Sequence, residues 1–203
     1  MSSSTEVVHL ELAYKGTRDY LHGTDIYTAI TEQFSRTMPQ YRHCPLRLAI
    51  HGFARNQCDL LYRVGAERMP RPEHARVEFS LEPDVFGWLA ETARAVLSRR
   101  PYEEDEAVAT SRIEGNTIQS GPTEGFSAIE VLVALTKRLH MTLRPRQSRW
   151  AFTRLELLRP LEVTDAGRLR VQLVDALGDR LTKSVITSSN AAIGHIYFSA
   201  IRQ

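Results

Sequence analysis

The stretch SGPTEGFSAIEVLVALTKRLH, residues 120–140, joins a loop rich in Pro and Gly to a segment with few polar positions. Apolar side chains occupy almost every side of its helical projection (Phe126, Ile129, Val131, Leu132, Val133, Ala134, Leu135 and Leu139). A helix with so little polar surface is usually buried. The sequence therefore predicts a long buried helix over residues 126–143.

A second segment, near the start of the chain, matches the beginning of this one. At a single ungapped offset TDIYTAI, residues 24–30, stands over TEGFSAI, residues 123–129, which pairs Asp25 with Glu124 (124 − 25 = 99). A strand pattern precedes each copy and a helix pattern follows each. We interpret the match, with its shared order of strand, loop and helix, as an internal duplication. A repeat of this kind would determine the whole architecture. The alternative is a chance match between two ordinary strand–loop–helix units.

The remaining elements follow from hydrophobic spacing. Strands are predicted at 6–14, within 45–64, at 75–82, 108–115, 149–161, 168–177 and 180–201. Helical spacing predicts a helix at 25–38, capped by Thr24 or Asp25, and another at 84–100, capped by Asp84.

Composition and charge are those of a soluble globular protein. Of the 203 residues 42% are hydrophobic and 25% are charged, and the net charge is +2, which gives no basic footprint for nucleic acid. Two isolated cysteines, Cys44 and Cys58, are expected to be reduced thiols. The sequence lacks a secretory signal pattern and any apolar run of membrane-spanning length. We expect a cytoplasmic protein with no membrane span.

The order of strand, long loop, very apolar helix and antiparallel strands resembles the hotdog fold. A duplicated chain resembles a double hotdog of the α+β class, with two antiparallel sheets, either separate or continuous, each wrapping a long apolar helix. The acidic segment 101–107 is the predicted linker, which gives hotdog-like repeats at 1–100 and 101–203. The loop and helix at 120–140 are similar to those of fatty-acid dehydratases and related thioester enzymes, and residues 149–161 are similar to the family's next strand.

The resemblance implies an enzyme acting on an acyl thioester of coenzyme A or acyl carrier protein, by thioester hydrolysis or 3-hydroxyacyl dehydration. A helix N-terminus polarises a thioester carbonyl, and acids or a histidine beside it move protons. The candidate catalytic residues are therefore His22, Asp25, Glu124 and Glu130. The dehydratase pattern His-Phe-Pro is absent, and the repeat mate of His22 is Gly121 (121 − 22 = 99).

Each candidate also has a structural interpretation. Asp25 and Glu124 suit helix capping, Glu130 suits an ion pair with Lys137, and His22 suits an ordinary loop. The second functional hypothesis is a non-catalytic acyl-binding or scaffolding module, and a weaker third is an isomerase or lyase for a small molecule. His51, His140 and His195 are expected to be structural.

The basic run RPRQSRW offers a place for the carrier's phosphates. Arg144, Arg146 and Arg149 suit the phosphate of coenzyme A or phosphopantetheine, although a solvated basic loop explains them equally. No permanently bound cofactor and no metal site are expected, since HExxH, GxSxG and phosphate-loop motifs are absent. A fused repeat is expected to be a monomeric pseudo-dimer or a homodimer.

Overall fold

The computed structural model describes residues 4–65, 67–145, 149–178 and 180–201. The chain divides into two compact units, and the boundary falls between Tyr102 and Glu103. In each unit one long helix accompanies an antiparallel sheet, so the predicted combination of antiparallel strands with few helices is confirmed. Within the described ranges neither long helix is sufficiently long and apolar to cross a membrane.

The first unit contains eight described strands or helices, listed here in chain order. They are β1 (Glu6–His9), β2 (Tyr14–Lys15), α1 (Gly23–Thr37), β3 (Leu46–Ile50), β4 (Asn56–Val64), β5 (Ala75–Leu81), β6 (Val85–Ala95) and β7 (Arg99–Arg100). The sheet has the order β1-β4-β6-β5-β3, with every pair antiparallel. The short strands β2 and β7 pair in parallel beside it.

Helix α1 packs onto this sheet through one apolar stripe. Ile26, Ile30 and Phe34 recur every four residues and are buried, as expected for the inward face of a helix. The Phe34 ring lies 5.0 Å from the Tyr62 ring of β4 and 5.7 Å from the Phe79 ring of β5. This contact fixes the helix, and so the position of its first turn.

The helix predicted at 84–100 is wrong, because most of this segment forms strand β6. Its inward residues alternate as in a strand, and Gly87 brings the backbone close to Phe79: a Cβ on Gly87 would lie 2.3 Å from that ring. Asp84 caps no helix. Its carboxylate accepts a 2.7 Å hydrogen bond from the Tyr41 hydroxyl, and burial with that bond raises the pKa of Tyr41 to about 12.

The second unit contains seven described strands or helices. They are β8 (Arg112–Glu114), β9 (Thr117–Gln119), α2 (Ala128–Leu143), β10 (Trp150–Leu157), β11 (Leu169–Leu177), β12 (Leu181–Ser188) and β13 (Ala191–Ala200). The antiparallel order is β10-β13-β12-β11-β9-β8. The long helix predicted at 126–143 is confirmed as α2, ten of whose side chains are buried.

Two strand predictions in this unit need correction. The single strand predicted at 180–201 is a hairpin, β12 and β13, because Ser189 and Asn190 turn the chain with φ of 51° and 68°. Two positive φ values form the turn that suits a two-residue hairpin. The segment 108–115 contributes only the three-residue strand β8.

The strands that follow the long helix are connected differently in the two units. We number the four strands that follow the long helix of each unit from one to four in chain order. In the first unit their order across the sheet is second, fourth, third, first, because β4 pairs with β6. The second unit has the order second, third, fourth, first, because β11 pairs with β12 and β12 with β13. The third and fourth strands thus exchange places between the units.

Candidate functional site

The first turn of α1 begins at a histidine. His22 is the N-cap residue, with extended backbone angles and no capping bond from its side chain. Thr24 and Asp25, predicted as the cap, instead lie at the second and third helical positions, so that prediction is wrong. Their side chains are thereby free of the capping role and point into the protein, where both are buried.

These side chains form a buried polar cluster with Lys15 of β2. The Lys15 ammonium donates to Asp25 Oδ1 at 2.9 Å and to Thr24 Oγ1 at 3.1 Å, and His22 Nδ1 lies 2.7 Å from Thr24 Oγ1. Lys15 is 5% exposed, and Asp25 and His22 are each 8% exposed. The structure therefore brings the predicted residues His22 and Asp25 together through Thr24, which the sequence predicted only as a helix cap, and Lys15, which it did not single out.

The second carboxylate oxygen of Asp25 is unusual. Asp25 Oδ2 is buried and accepts no hydrogen bond from any residue in the described ranges. The guanidinium of Arg100 approaches Oδ1, at 4.0 Å, and leaves Oδ2 unbonded. Buried polar atoms are nearly always hydrogen-bonded, and an exception calls for a ligand, a water or a reaction to explain it. Lys15 therefore holds Asp25 Oδ1 by a hydrogen bond, whereas Asp25 Oδ2 has no hydrogen-bond donor among the described residues.

Aromatic and arginine side chains enclose the cluster. The Lys15 ammonium lies 4.6 Å from the centre of the Tyr102 ring, and the His22 ring lies 5.7 Å from it. Arg99 donates to the carbonyls of Gly16 and Arg18 at 2.6 Å and 2.8 Å, which holds the turn after β2. The position of Lys15 is therefore set by the turn that follows it, which Arg99 holds, and by the Tyr102 ring against its ammonium.

The first unit also contains a cleft of about 780 Å³. Its lining residues are Glu11, Leu12, Ala13, Gln57, Arg94, Ala95, Leu97, Ser98 and Arg100. Arg100 belongs both to this lining and to the surroundings of Asp25. Arg100, whose guanidinium lies 4.0 Å from Asp25 Oδ1, is the residue that the cleft and the cluster's surroundings have in common.

The first turn of α2 uses its acid differently. Ser127 is the N-cap, and its backbone N–H and hydroxyl both donate to Glu130 Oε2 at 2.7 Å, while Ser127 Oγ accepts from the Glu130 N–H. This is a capping box. Lys137, the suggested partner of Glu130, instead pairs with Glu104. In the second unit the carboxylate serves the helix start.

The N-caps give the structural correspondence between the two helices. His22 and Ser127 are 105 positions apart (127 − 22 = 105), and the same offset places Asp25 on Glu130, the third residue of each helix. The offset of 99 placed Asp25 on Glu124, which lies exposed in the loop before Ser127. That pairing is therefore wrong, and Glu124 stands apart from the first turn.

The basic run lies at the far end of α2. Arg144 is the C-cap and donates to the carbonyl of Gly178 at 2.9 Å, Arg149 is exposed, and Arg146 lies outside the described residues. Fourteen residues separate Arg144 from Glu130, about 21 Å at the rise of an α-helix. One small group cannot contact both.

Two further buried ionisable groups have structural surroundings. Asp165 accepts hydrogen bonds from Arg159 and Ser188, and although burial raises its pKa, these bonds and the Glu162 N–H lower it to about 2. His140 is fully buried against Trp150, and burial lowers its pKa to about 4. In the part of the chain that the structure describes, no group of three His, Cys, Asp or Glu residues is arranged to hold a metal.

Comparison with known proteins gives a match in fold. No protein-family model matches the sequence, and no curated protein matches it. A protein described as a thioesterase II from Thermobifida fusca has a TM-score of 0.51 at 11% identity, over 98% of this chain and 92% of that one. The dehydratase domain of PpsC from Mycobacterium tuberculosis, in complex with C12:1-CoA, has 0.50 at 13%, over 97% and 94%. The tesB protein of Mycobacterium avium subspecies paratuberculosis has 0.50 at 9%, over 96% and 91%.

Proposed function

Because the chain adopts the hotdog fold, we propose that it acts on an acyl thioester of coenzyme A or acyl carrier protein at the first turn of α1. One structural neighbour is described as a thioesterase II, and another is a dehydratase domain in complex with C12:1-CoA. A shared fold does not carry a function by itself. The proposal therefore rests on the residues of the site.

The observation that carries the proposal is the buried Asp25, held at Oδ1 by Lys15 and unbonded at Oδ2 by the described residues. The Lys15 ammonium orients the Asp25 carboxylate, and a carboxylate held in one orientation suits a general base or a nucleophile. Gly23 and Thr24 are the first two helical residues, whose N–H groups have no acceptor within the helix. They stabilise negative charge on a thioester oxygen placed at this end.

Hydrolysis fits this arrangement better than dehydration. Asp25 Oδ2 removes a proton from water, the water oxygen bonds to the carbonyl carbon, the C–S bond breaks, and the proton leaves with the thiol. His22, bonded to Thr24, assists the transfer near neutral pH. Dehydration needs, besides a base, an acid that protonates the departing hydroxyl, and Asp25 is the one carboxylate in the cluster of Lys15, His22, Thr24 and Asp25.

The proposal includes a double hotdog in which the two units are diverged repeats, each sheet wrapping its helix. Support comes from the long helix followed by four antiparallel strands in each unit, and from the acid at the third helical position. Because Glu130 caps its own helix, the proposal places the catalytic site in the first unit. The protein is then a pseudo-dimer in one chain and acts in the cytoplasm.

The test is a thiol-release assay on acyl-CoA substrates of several chain lengths, with 3-hydroxyacyl-CoA examined for dehydration. We expect thiol release, and a loss of kcat/KM of about 100-fold or more in Asp25→Asn. Glu32→Gln, which changes an exposed acid on the same helix, is the matched control. Circular dichroism checks folding, and His22→Gln provides a second variant that leaves the Lys15 pair intact.

Full activity in Asp25→Asn contradicts the assigned role. Acyl-CoA binding without thiol release favours the alternative function, a non-catalytic acyl-binding module. Absence of both binding and turnover rejects the proposed function.

A further inference from the structure

Four side chains of the first unit form a continuous chain of hydrogen bonds at the start of α1. The Lys15 ammonium donates to Asp25 Oδ1 at 2.9 Å and to Thr24 Oγ1 at 3.1 Å. Thr24 Oγ1 in turn lies 2.7 Å from His22 Nδ1. Thr24 has no solvent exposure, so its hydroxyl must find its partners within the protein.

The Thr24 hydroxyl decides the direction of the bond to His22. A hydroxyl carries one proton and two lone pairs, whereas an ammonium has three donors and no acceptor. The Thr24 oxygen therefore accepts from Lys15, and the hydroxyl proton needs an acceptor of its own. Among the described residues the one other group within hydrogen-bond distance of Thr24 Oγ1 is His22 Nδ1.

The protonation states of His22 differ in how they meet this demand. With the ring proton on Nε2, the lone pair of Nδ1 accepts from the Thr24 hydroxyl, and the hydroxyl proton is satisfied. With a proton on Nδ1, alone or in a charged ring, the ring donates to the Thr24 oxygen, and the buried hydroxyl proton then has no acceptor. A buried donor without an acceptor is costly and rare. The bond made by one ring nitrogen thereby sets the proton on the other.

We infer that Thr24 and Lys15 are positioning residues that hold His22 as a neutral imidazole with its proton on Nε2. His22 then serves the reaction as a hydrogen-bond donor and not as a base. The part played in the reaction rests on the proposed function, whereas the tautomer follows from the hydrogen bonds alone.

This tautomer separates the roles of the two candidate catalytic side chains. A ring whose Nδ1 accepts from Thr24 and whose Nε2 carries a proton cannot remove a proton from water. Its Nε2–H suits the thioester sulfur, which takes up negative charge as the C–S bond breaks. Asp25 Oδ2 remains the atom that takes the proton from water. Lys15 joins the two groups, because its ammonium bonds both Asp25 and the threonine that orients His22.

The test is nitrogen NMR at pH 7 on protein with labelled histidine, without substrate. His22→Gln identifies the His22 signals by their loss. We expect a pyridine-type shift for Nδ1 and a pyrrole-type shift for Nε2 in the wild type and in Thr24→Ser, which keeps the hydroxyl. Thr24→Val removes the hydroxyl and should move both shifts toward the Nδ1–H or charged form. Thr37→Val, at the other end of α1, should leave them unchanged.

The kinetic part of the test uses the thiol-release assay on an acyl-CoA. Thr24→Val should lower kcat by about tenfold or more with KM changed little, because a donor made effective in the transition state is lost. Thr24→Ser should restore most of the lost kcat, and Thr37→Val should match the wild type.

A wild-type spectrum with the proton on Nδ1, or with a charged ring, overturns the inference, and so does an unchanged spectrum in Thr24→Val. Wild-type kcat in Thr24→Val despite a changed spectrum overturns the role of the tautomer in the reaction. If the wild type turns over no thioester, the proposed function fails, and the wild-type spectrum still decides the tautomer. It also decides the tautomer if circular dichroism shows that Thr24→Val does not fold.

Discussion

The fully buried histidine of α2 predicts a specific acid sensitivity of the fold. His140 has no solvent exposure, its ring stacks on Trp150 at 4.6 Å, and Phe198 lies at 5.4 Å. Neither ring nitrogen meets the geometry of a hydrogen bond with any described residue, although the backbone of Thr136 is close enough to raise the pKa in part. Burial, with Arg144 adding to it, lowers the pKa of His140 from 6.5 to about 4.

The sign of the effect follows from proton binding. Between pH 6.5 and 4 the unfolded chain binds a proton at this histidine and the folded chain does not, so stability falls as the pH falls through this window. The pKa difference (6.5 − 4 = 2.5) corresponds to about 3 kcal/mol at 1.36 kcal/mol per unit. Well above pH 6.5 the titration of His140 takes nothing from the free energy of unfolding, because the histidine is neutral in both states.

His140→Phe removes the titration while filling a similar volume. Urea denaturation at pH 7 and pH 4, followed by circular dichroism, gives the free energy of unfolding at each pH. The fall between the two pH values should be about 3 kcal/mol smaller in the variant, and its stability at pH 7 should be at least that of wild type, because two buried unpaired nitrogens are gone. His43→Gln, at an exposed position, is the control. An equal fall in wild type and His140→Phe refutes the reasoning.

Three other outcomes follow from buried contacts. Lys15→Met leaves the buried Asp25 carboxylate without its ammonium partner and should lower the free energy of unfolding by about 3–5 kcal/mol. The double variant Lys15→Met with Asp25→Leu should lose less, because no unpaired charge stays buried. An equal loss in the single and double variants would contradict a buried ion pair. Gly194→Ala places a Cβ 2.0 Å from a carbonyl oxygen of β10, at φ of 155°, and should destabilise by about 3 kcal/mol in urea denaturation, whereas a neutral result would disprove the close approach. The Cys58 thiol is buried and its pKa is raised to about 12, chiefly by burial, so a thiol reagent at pH 8 should label Cys44 alone until the protein unfolds, and rapid labelling of Cys58 would count against this core.

Local composition decided which elements the sequence predicts well. Helix α2 was predictable because its apolar residues leave almost no polar face. Strand β6 was not, because Val85, Trp88 and Leu89 satisfy helical spacing by coincidence, and the feature that selects a strand, the approach of Phe79 to Gly87, is tertiary. Hairpin formation by β12 and β13 was concealed because the turn carries no glycine.

The site was predictable in part. His22 and Asp25 stood out because they precede a helix, yet Lys15 carried no signal, since its contact with Asp25 joins two segments through the fold. The role of Glu130 was visible in principle, because Ser127 three residues earlier completes the capping-box pattern. The helix N-caps show that Asp25 and Glu130 each occupy the third position of their helix, which the ungapped sequence match did not indicate.

The most direct measurement compares kcat/KM for one acyl-CoA in Asp25→Asn and Glu130→Gln. Glutamine still caps a helix, so Glu130→Gln should stay within a few-fold of wild type, while Asp25→Asn should fall about 100-fold or more. Equal losses in both variants, or a greater loss in Glu130→Gln, would contradict a working site confined to the first turn of α1.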